Sequence, residues 1–290
     1  MTTQIEPEML HRLMTAADVK VVDASIEKQT VKILDASWAL DGTDMHALFL
    51  QDHIPGAQFF DIEAISDHST DLPHMAPSPE QFAEAVGALG ITASDHVVIY
   101  DRPGLFSAAR AWWTFKLMGH AFVHVLGGGL PAWKAAGYPL SSEVTTPVAT
   151  TYSPHPHPEK IISFDELRRH VDMQRDIILD ARSKARFEGT APEPRAGLRS
   201  GHMPGSRSLP FNELIRDGAL KPRHELEVLF SVYGVAPNHT VITTCGSGVT
   251  AAIISMALEE IGHTQALLYD GSWSEWGQAD WDAPVITGAA

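Results

Sequence analysis

The sequence predicts an α/β protein in which one domain, built from alternating strands and helices, occurs twice. Three observations lead to this prediction. Short β-branched runs alternate with helical segments, which is typical of a mostly parallel sheet with helices on both faces. The same series of motifs appears twice along the chain. A segment rich in Ser, Thr and Pro separates the two series, as expected for a linker.

The elements of the first copy can be assigned in order. Residues 6–16 have apolar side chains at helical spacing. Two strand-like runs follow, Val19–Asp23 and Val31–Asp35, and the second is favoured as the central strand because it runs on towards Trp38. The other elements expected in this copy are a strand over 58–61, a loop over 67–78, a helix over 79–89, a strand over 97–101, a helix over 107–118, a strand over 124–126 and a helix over 130–136.

The second copy repeats these motifs after the linker, at a spacing that drifts by only a few residues. The matching pairs are Ile33-Leu-Asp-Ala with Ile178-Leu-Asp-Ala, His53-Ile-Pro-Gly with His202-Met-Pro-Gly, Val97–Asp101 with Val241–Cys245, and Gly119-His with Gly262-His. We therefore expect a first domain over 1–142, a linker over 143–159 and a second domain over 160–290.

The single cysteine of the chain follows a predicted strand of the second copy. Val241–Thr244 is β-branched, Cys245 comes next, and Gly246-Ser247-Gly248 precedes a segment of helical composition over 251–260. A strand, a glycine-rich turn and a helix bring a sulfur close to backbone N–H groups and to the positive end of a helix dipole. That setting favours the thiolate, which is the nucleophile. A buried cysteine without a role is the alternative, but two following glycines clear side chains from around the sulfur.

The first copy lacks this nucleophile. Where the second copy has Cys245-Gly-Ser-Gly, the first has Asp101-Arg-Pro-Gly. We expect the first copy to act as a scaffold and to contribute side chains across the interface between the copies.

Composition excludes several classes of protein. The formal net charge of −15 disfavours non-specific binding to nucleic acid or to an anionic membrane. One cysteine excludes an internal disulfide framework and is typical of a reducing compartment. No apolar run is long enough for a membrane span, and the first residues lack a signal-peptide pattern. These features predict a cytoplasmic protein. No nucleotide-binding loop is present, so no cofactor is expected, and no metal site is expected either, because His155 and His157 have no flanking ligands.

Four features of the chain resemble the rhodanese superfamily of sulfurtransferases. They are the tandem repeat, the two His-x-Pro-Gly turns, Asp270-Gly-Ser-Trp near the end and the cysteine after the fourth strand of the second copy. The resemblance covers nearly the whole chain and implies two tandem rhodanese-like domains. Cys245-Gly-Ser-Gly-Val-Thr-Ala is similar to the loop of the 3-mercaptopyruvate sulfurtransferases within that superfamily. Relatives that use thiosulfate carry basic residues directly after the cysteine, where this chain has neutral Gly246 and Ser247.

The resemblance also implies which residues form the site. Arg186 and Arg195 match the family's carboxylate-binding arginines, and a guanidinium suits a carboxylate with a neighbouring keto oxygen. Asp61 and His74 match a polar pair contributed by the first copy, and Ser247 is the loop hydroxyl beside the thiol. The backbone N–H groups of the loop would hold the persulfide; they belong to Gly246, Ser247, Gly248, Val249 and Thr250.

The expected activity is transfer of the sulfur of 3-mercaptopyruvate, through a persulfide on Cys245, to a thiol acceptor such as thioredoxin or a small thiol, or to cyanide. Pyruvate is released, and a monomer is expected because the fusion already pairs the two domains. Three alternatives remain at this point. They are a sulfurtransferase whose main donor is thiosulfate, a non-enzymatic persulfide-binding or regulatory module, and a cysteine phosphatase, which would need an arginine where Ala251 stands.

Overall fold

The computed structural model describes residues 2–15, 30–174 and 176–289, and it contains the repeated α/β unit that the sequence predicts. The elements of the first copy are, in chain order, β1 (Gln4–Ile5), α1 (Pro7–Thr15), β2 (Val31–Asp35), α2 (Met45–Gln51), β3 (Gln58–Phe59), α3 (Ile62–Ile65), α4 (Pro79–Ala88), β4 (His96–Tyr100), α5 (Ala108–Leu117), β5 (Val123–Leu126) and α6 (Gly129–Ala135).

The second copy follows a stretch without regular elements that packs against the first copy. Its elements are β6 (Ile161–Ile162), α7 (Phe164–Met173), β7 (Ile177–Asp180), α8 (Lys184–Phe187), β8 (Ser206–Ser208), β9 (Ile215–Arg216), β10 (Ala219–Leu220), α9 (Arg223–Val232), β11 (Val241–Thr244), α10 (Ala251–Glu260), β12 (Ala266–Tyr269) and α11 (Ser272–Trp276), with short 3-10 helices over Pro158–Lys160 and Phe211–Leu214.

The two copies have sheets of the same topology. The first sheet has the strand order β1-β5-β4-β2-β3 and the second the order β6-β12-β11-β7-β8, and every pairing in both sheets is parallel. β4 and β11 are therefore equivalent central strands, and the residues that follow them are Asp101 and Cys245. In parallel α/β sheets, ligands bind at the carboxyl ends of the strands. A functional site is therefore expected at the edge of the sheet where β4 and β11 end.

The copies join through α5 and α10, which pack against one another. Both helices are apolar around most of their circumference, which is expected of a helix covered on all sides. Residues 108–115 of α5 and 251–258 of α10 are buried. A single cluster of buried apolar side chains runs from the first copy into the second and includes Trp112, Trp113, Ile253 and Ile254. Each copy has a further apolar cluster on the other face of its sheet.

Most of the predicted elements are present with small shifts at their ends. α10 spans Ala251–Glu260 as expected, and the helix expected over 79–89 is α4, where Ser78 and Gln81 form a capping box. Val31–Asp35, favoured as the central strand, is an interior strand between β3 and β4, and the middle position of the sheet belongs to β4. The other candidate strand, Val19–Asp23, lies outside the described residues.

Several elements gave no clear pattern in the sequence. β1 is two residues long and α2 follows a turn without strong apolar spacing, so neither was expected. β9 and β10 form a hairpin around Asp217 and Gly218, whose positive φ angles fit the two-residue turn of such hairpins. Across the described residues, no helix combines the length and the apolar character needed to cross a membrane.

Candidate active site

The single cysteine lies where the central strand of the second sheet ends. β11 ends at Thr244, Cys245 follows, and α10 begins at Ala251. Gly248 has a φ of +79° in the intervening turn, a conformation that glycine adopts without strain. Cys245 is 2% exposed, which makes it a buried thiol inside a turn of backbone N–H groups.

Ser272 holds this turn in place from the loop after β12. Its Oγ accepts hydrogen bonds from the N–H of Cys245 at 3.2 Å and of Gly248 at 3.1 Å. The same hydroxyl donates to the carbonyl of Tyr269 at 2.9 Å. Ser272 itself has a φ of +48°. The Asp-Gly-Ser-Trp motif thus supports the cysteine loop, a role that the sequence did not reveal.

The equivalent loop of the first copy shows what such a turn can bind. Asp101, at the position of Cys245, is fully buried, and its carboxylate accepts hydrogen bonds of 2.7–2.9 Å from four backbone N–H groups. The donors are the N–H groups of Gly104, Phe106, Ser107 and Ala108. Burial raises the pKa of Asp101, and these N–H donors oppose that shift. The repeated turn is therefore an anion cradle, and in the first copy its own carboxylate fills it.

In the second copy the cradle has no such occupant. Within the residues that the structure describes, the N–H groups of Thr250, Ala251 and Ala252 donate to no protein acceptor, although their counterparts in the first copy bind Asp101. Ser247 is 5% exposed and lies in the same turn. A negative group on the sulfur of Cys245 would meet these donors.

Arg186 lies against the cysteine loop. It is part of α8, and a Cβ added to Gly246 would lie 3.0 Å from Arg186 Nη2, so a side chain at this position would crowd the guanidinium. Arg186 Nη2 donates to Glu193 Oε2 at 2.5 Å and its Nε donates to the same oxygen at 3.2 Å. Across the described ranges no hydrogen bond engages its Nη1, which leaves that group for a substrate.

Glu193 is a buried carboxylate shared by two arginines. Its other oxygen accepts from Arg182 Nη1 at 2.8 Å, and its side chain is 2% exposed. Arg182 also binds Asp180 and lies 4.0 Å from the centre of the Trp273 ring. This network fixes the orientation of Arg186.

Arg195 reaches the site from the following loop and contacts the first copy. Its Nη2 is 3.3 Å from Nε2 of His74. Burial lowers the pKa of the Arg195 guanidinium, Cys245 opposes that shift, and Arg186 adds to it. Cys245, Arg186 and Arg195 are therefore within electrostatic reach of one another, although they come from separate segments.

His74 is buried and neutral. Burial, followed by the charges of Arg110 and Arg195, lowers the pKa of His74 to about 3. Because a guanidinium can only donate, Nε2 of His74 must accept from Arg195, and the ring proton is on Nδ1. Nδ1 lies 3.2 Å from Glu63 Oε2, at ion-pair distance but without good hydrogen-bond geometry. Trp38 packs edge-on against the imidazole and donates from Nε1 to Glu63 Oε1 at 2.8 Å.

Asp61 is not brought into this cluster. It is exposed and caps α3, its Oδ1 accepting from the N–H of Glu63 at 3.0 Å and of Ala64 at 3.1 Å. Among the described residues, no hydrogen bond joins Asp61 to His74, Ser247 or Cys245. The acidic residue that approaches His74 is Glu63, two positions later. The sequence alone could not separate the two, because either carboxylate fits the first turn of a short helix.

The geometry therefore assembles a buried thiol, a turn of free backbone donors and two arginines. Such a set of groups can bind an anionic substrate with its reactive atom near a nucleophile. Within the described ranges, no group of three or more His, Cys, Asp or Glu side chains is arranged to hold a metal ion.

Known proteins resemble this chain over nearly its whole length. The pattern of the rhodanese-like domain matches residues 7–136 and again 163–279. The chain is 41% identical over 263 residues to the 3-mercaptopyruvate sulfurtransferase of Escherichia coli (strain K12), covering 90% of this chain and 93% of that protein. It is 40% identical over 286 residues to "Thiosulfate/3-mercaptopyruvate sulfurtransferase 1, mitochondrial" of Arabidopsis thaliana, covering 90% and 75%. The crystal structure of the E. coli 3-mercaptopyruvate sulfotransferase SseA superposes with a TM-score of 0.82 at 36% identity, covering 95% of this chain and all of that one.

Proposed function

The chain belongs to the rhodanese family, and from that premise we propose that it is a 3-mercaptopyruvate sulfurtransferase. The observation that carries the proposal is the buried Cys245 in an open backbone cradle, with Arg186 and Arg195 beside it. This arrangement supports a substrate that carries a carboxylate at one end and a sulfur at the other. The named relatives support the same substrate.

Arg186 and Arg195 bind the carboxylate and keto oxygen of mercaptopyruvate. Glu193 holds Nε and Nη2 of Arg186, so its Nη1 faces the substrate. His74 accepts from Nη2 of Arg195 and fixes that guanidinium in turn. Two oriented cations position the small substrate with its sulfur against Cys245, which removes most of the entropic cost of bringing the reacting atoms together.

The first half-reaction moves one sulfur atom. The thiolate of Cys245 attacks the substrate's sulfur, and the carbon–sulfur bond breaks with its electron pair remaining on carbon. Pyruvate therefore leaves as the enolate, which takes up a proton to give pyruvate, and Cys245 is left as a persulfide. The hydroxyl of Ser247 and the two arginines stabilise the charge that develops on the keto oxygen.

The cradle of the second copy holds the persulfide anion. The support for this step is the first copy, where the equivalent N–H groups bind the carboxylate of Asp101. In the second copy the donors run from Gly246 through Val249 and Thr250 to Ala252. Three of the four N–H groups that bind Asp101 in the first copy thus have counterparts available for an anionic sulfur, whereas the fourth counterpart, Gly248 N–H, donates to Ser272.

The part in the site that the sequence predicted for Asp61 has less support than one for Glu63. Asp61 is engaged as a helix cap, whereas Glu63 faces the Nδ1–H of His74. With its pKa near 3, His74 is a weak base in the free protein, so its proposed role is to orient Arg195.

A thiol acceptor completes the cycle by attacking the outer sulfur, and the Cys245 thiolate leaves. Thioredoxin, a small thiol or cyanide can serve as the acceptor, and the protein works as a monomer because the paired copies already complete the site. We place it in a reducing compartment such as the cytosol, since the lone cysteine must remain a thiol between cycles.

Mass spectrometry of the intact protein after a single turnover tests the proposal. Mercaptopyruvate is expected to add one sulfur atom to Cys245 and to release one equivalent of pyruvate, and Cys245→Ser is expected to abolish both. Thiosulfate serves as the comparison donor. Faster loading from thiosulfate would make it the main donor, an alternative favoured by the name of the Arabidopsis relative. No added mass from either donor would contradict the proposed enzyme and support a binding or regulatory module.

A further inference from the structure

A buried ion pair crosses the interface between the two copies beside the candidate site. Arg110 lies on α5 of the first copy, and Asp270 directly follows β12 of the second. Arg110 Nη1 is 2.7 Å from Asp270 Oδ1, and the two side chains are 3% and 4% exposed. Because burying two charges requires removing their hydration, such a pair is weak evidence for a purely stabilising role.

Arg110 holds the backbone of His74. Its Nη2 donates to the carbonyl of His74 at 2.5 Å, and its guanidinium lies 4.5 Å from the centre of the Trp113 ring. His74 has a φ of +59°, in the left-handed region that non-glycine residues rarely adopt. A conformation of this kind persists only where its surroundings enforce it.

Asp270 holds the same segment from the other side. Its Oδ2 accepts from the N–H of Ala76 at 2.7 Å. The two members of the pair therefore bind the main chain on either side of Met75, one through a carbonyl and one through an N–H. A segment of the first copy is in this way attached to the second.

The cysteine loop packs directly on the pair. A Cβ added to Gly248 would lie 2.9 Å from Arg110 Nη1 and 3.1 Å from the Asp270 carbonyl oxygen. Two residues after Asp270, Ser272 accepts from the N–H groups of Cys245 and Gly248. One buried pair thus contacts both the segment that carries His74 and the loop that carries the nucleophile.

We propose that the Arg110–Asp270 pair is a positioning device that holds His74, and through it Arg195, in register with the Cys245 loop. Neither residue is assigned contact with the substrate. The inference rests on the proposed sulfurtransferase activity, because correct placement of Arg195 is what the pair supplies to that reaction.

Kinetics of Asp270→Asn test this role. The variant keeps the shape of the side chain and removes its charge, so His74 and Arg195 lose their register with Cys245. Since a misplacement of about 1 Å can reduce a rate roughly 100-fold, kcat with mercaptopyruvate is expected to fall by about that factor. Glu259→Gln is the matched control, because Lys116 of α5 and Glu259 of α10 form a 2.8 Å ion pair across the same interface. This control is expected to retain kcat within about twofold.

A second measurement requires no substrate. The charged groups that face His74 are Arg110 from α5, Arg195 from its loop and Glu63 from α3. Titration of the His74 ring by NMR is expected to show an increase in its pKa in Arg110→Met, because a nearby cation is lost. Arg110→Lys retains the charge but lacks the guanidinium fork, so the pKa is expected to stay low while kcat remains reduced.

The outcomes separate the two proposals. Wild-type protein that forms no persulfide would contradict the sulfurtransferase, whereas the titration of His74 would still report on the pair. Folded Asp270→Asn with wild-type kcat would overturn the positioning role. So would an unchanged pKa of His74, with unchanged amide resonances for residues 74–76, in Arg110→Met.

Discussion

Individual side chains of the site are placed by contacts that no local pattern reveals. Glu63 and Asp61 are two residues apart at the start of α3, yet only Glu63 is directed at His74. Glu63 remains half-exposed while His74 is buried. Asp61 therefore caps the helix, whereas Glu63 faces Nδ1 of His74, the ring nitrogen that carries the proton of the neutral imidazole.

Paired substitutions separate these roles. Asp61→Asn is expected to retain kcat/KM within about threefold, because asparagine caps a helix as well as aspartate does. Glu63→Gln is expected to lower kcat/KM by about tenfold through the loss of a charged partner of His74. Steady-state kinetics with mercaptopyruvate measure both, and thermal unfolding confirms that the variants are folded. A larger loss in Asp61→Asn than in Glu63→Gln would restore Asp61 as the acidic residue of the site.

The strand–turn–helix unit that begins with β4 and the one that begins with β11 have the same backbone arrangement but differ in what their turns bind. β4 and β11 occupy the same place in their sheets, and the turns that follow them present backbone N–H groups inward. The turn after β4 is filled by Asp101 and is a structural lock. The turn after β11 begins with Cys245, and among the described residues the equivalent N–H groups of Thr250, Ala251 and Ala252 have no protein acceptor.

This interpretation predicts that the first turn depends on its carboxylate. Asp101→Asn turns one acceptor oxygen into a donor that faces N–H groups, so the free energy of unfolding is expected to fall by about 2–4 kcal/mol. Urea unfolding measures this change. Asp41→Asn is the control, because Asp41 accepts two bonds from Thr43 in an exposed turn and is expected to change stability by less than about 1 kcal/mol. Equal effects from the two variants would argue against the lock.

At the level of the folded chain, buried neutral histidines couple stability to pH. Burial lowers the pKa values of His74 to about 3 and of His120 and His124 to about 4. The ordinary histidine pKa is about 6.5. Below that value the unfolded chain takes up protons that the folded chain does not, so stability declines as the pH falls towards about 4 and is fully present above pH 6.5.

Urea unfolding at pH 7.5 and at pH 5 measures this coupling. Each of these histidines is expected to contribute roughly 1–2 kcal/mol to the difference. In the wild type the buried ring of His120 is bound by Tyr152 and by the Asp95 carbonyl. His120→Gln removes one of the three titrating rings, so the pH-dependent difference in the free energy of unfolding is expected to be smaller by roughly 1–2 kcal/mol. His155→Gln, at an exposed position, is expected to leave it unchanged. The same pH dependence in His120→Gln as in the wild type would contradict this assignment.

Much of the architecture was predictable because its determinants are local. The alternation of β-branched runs with helical segments predicted the parallel sheets, and the repeated motifs predicted two copies. α10 was predicted to the residue from a glycine-rich turn followed by an apolar run. β1 and α2 were missed because their identity depends on pairing and packing with distant segments.

The candidate site likewise has a part determined by local sequence and a part determined by contacts between distant segments. The chain on its own specifies the proposed nucleophile and its turn, since Cys245, its glycines and the following helix are neighbours in sequence. The groups around that turn come from distant parts of the chain and contact one another across it: Ala76 and Asp270 are 194 residues apart, and His74 and Arg195 are 121 residues apart. The roles of Glu63, Glu193 and Ser272 depend on contacts formed within each folded copy. The Arg110–Asp270 pair forms only where the two copies meet. Burial and electrostatic pairing act between groups that are close in space, and folding creates that proximity.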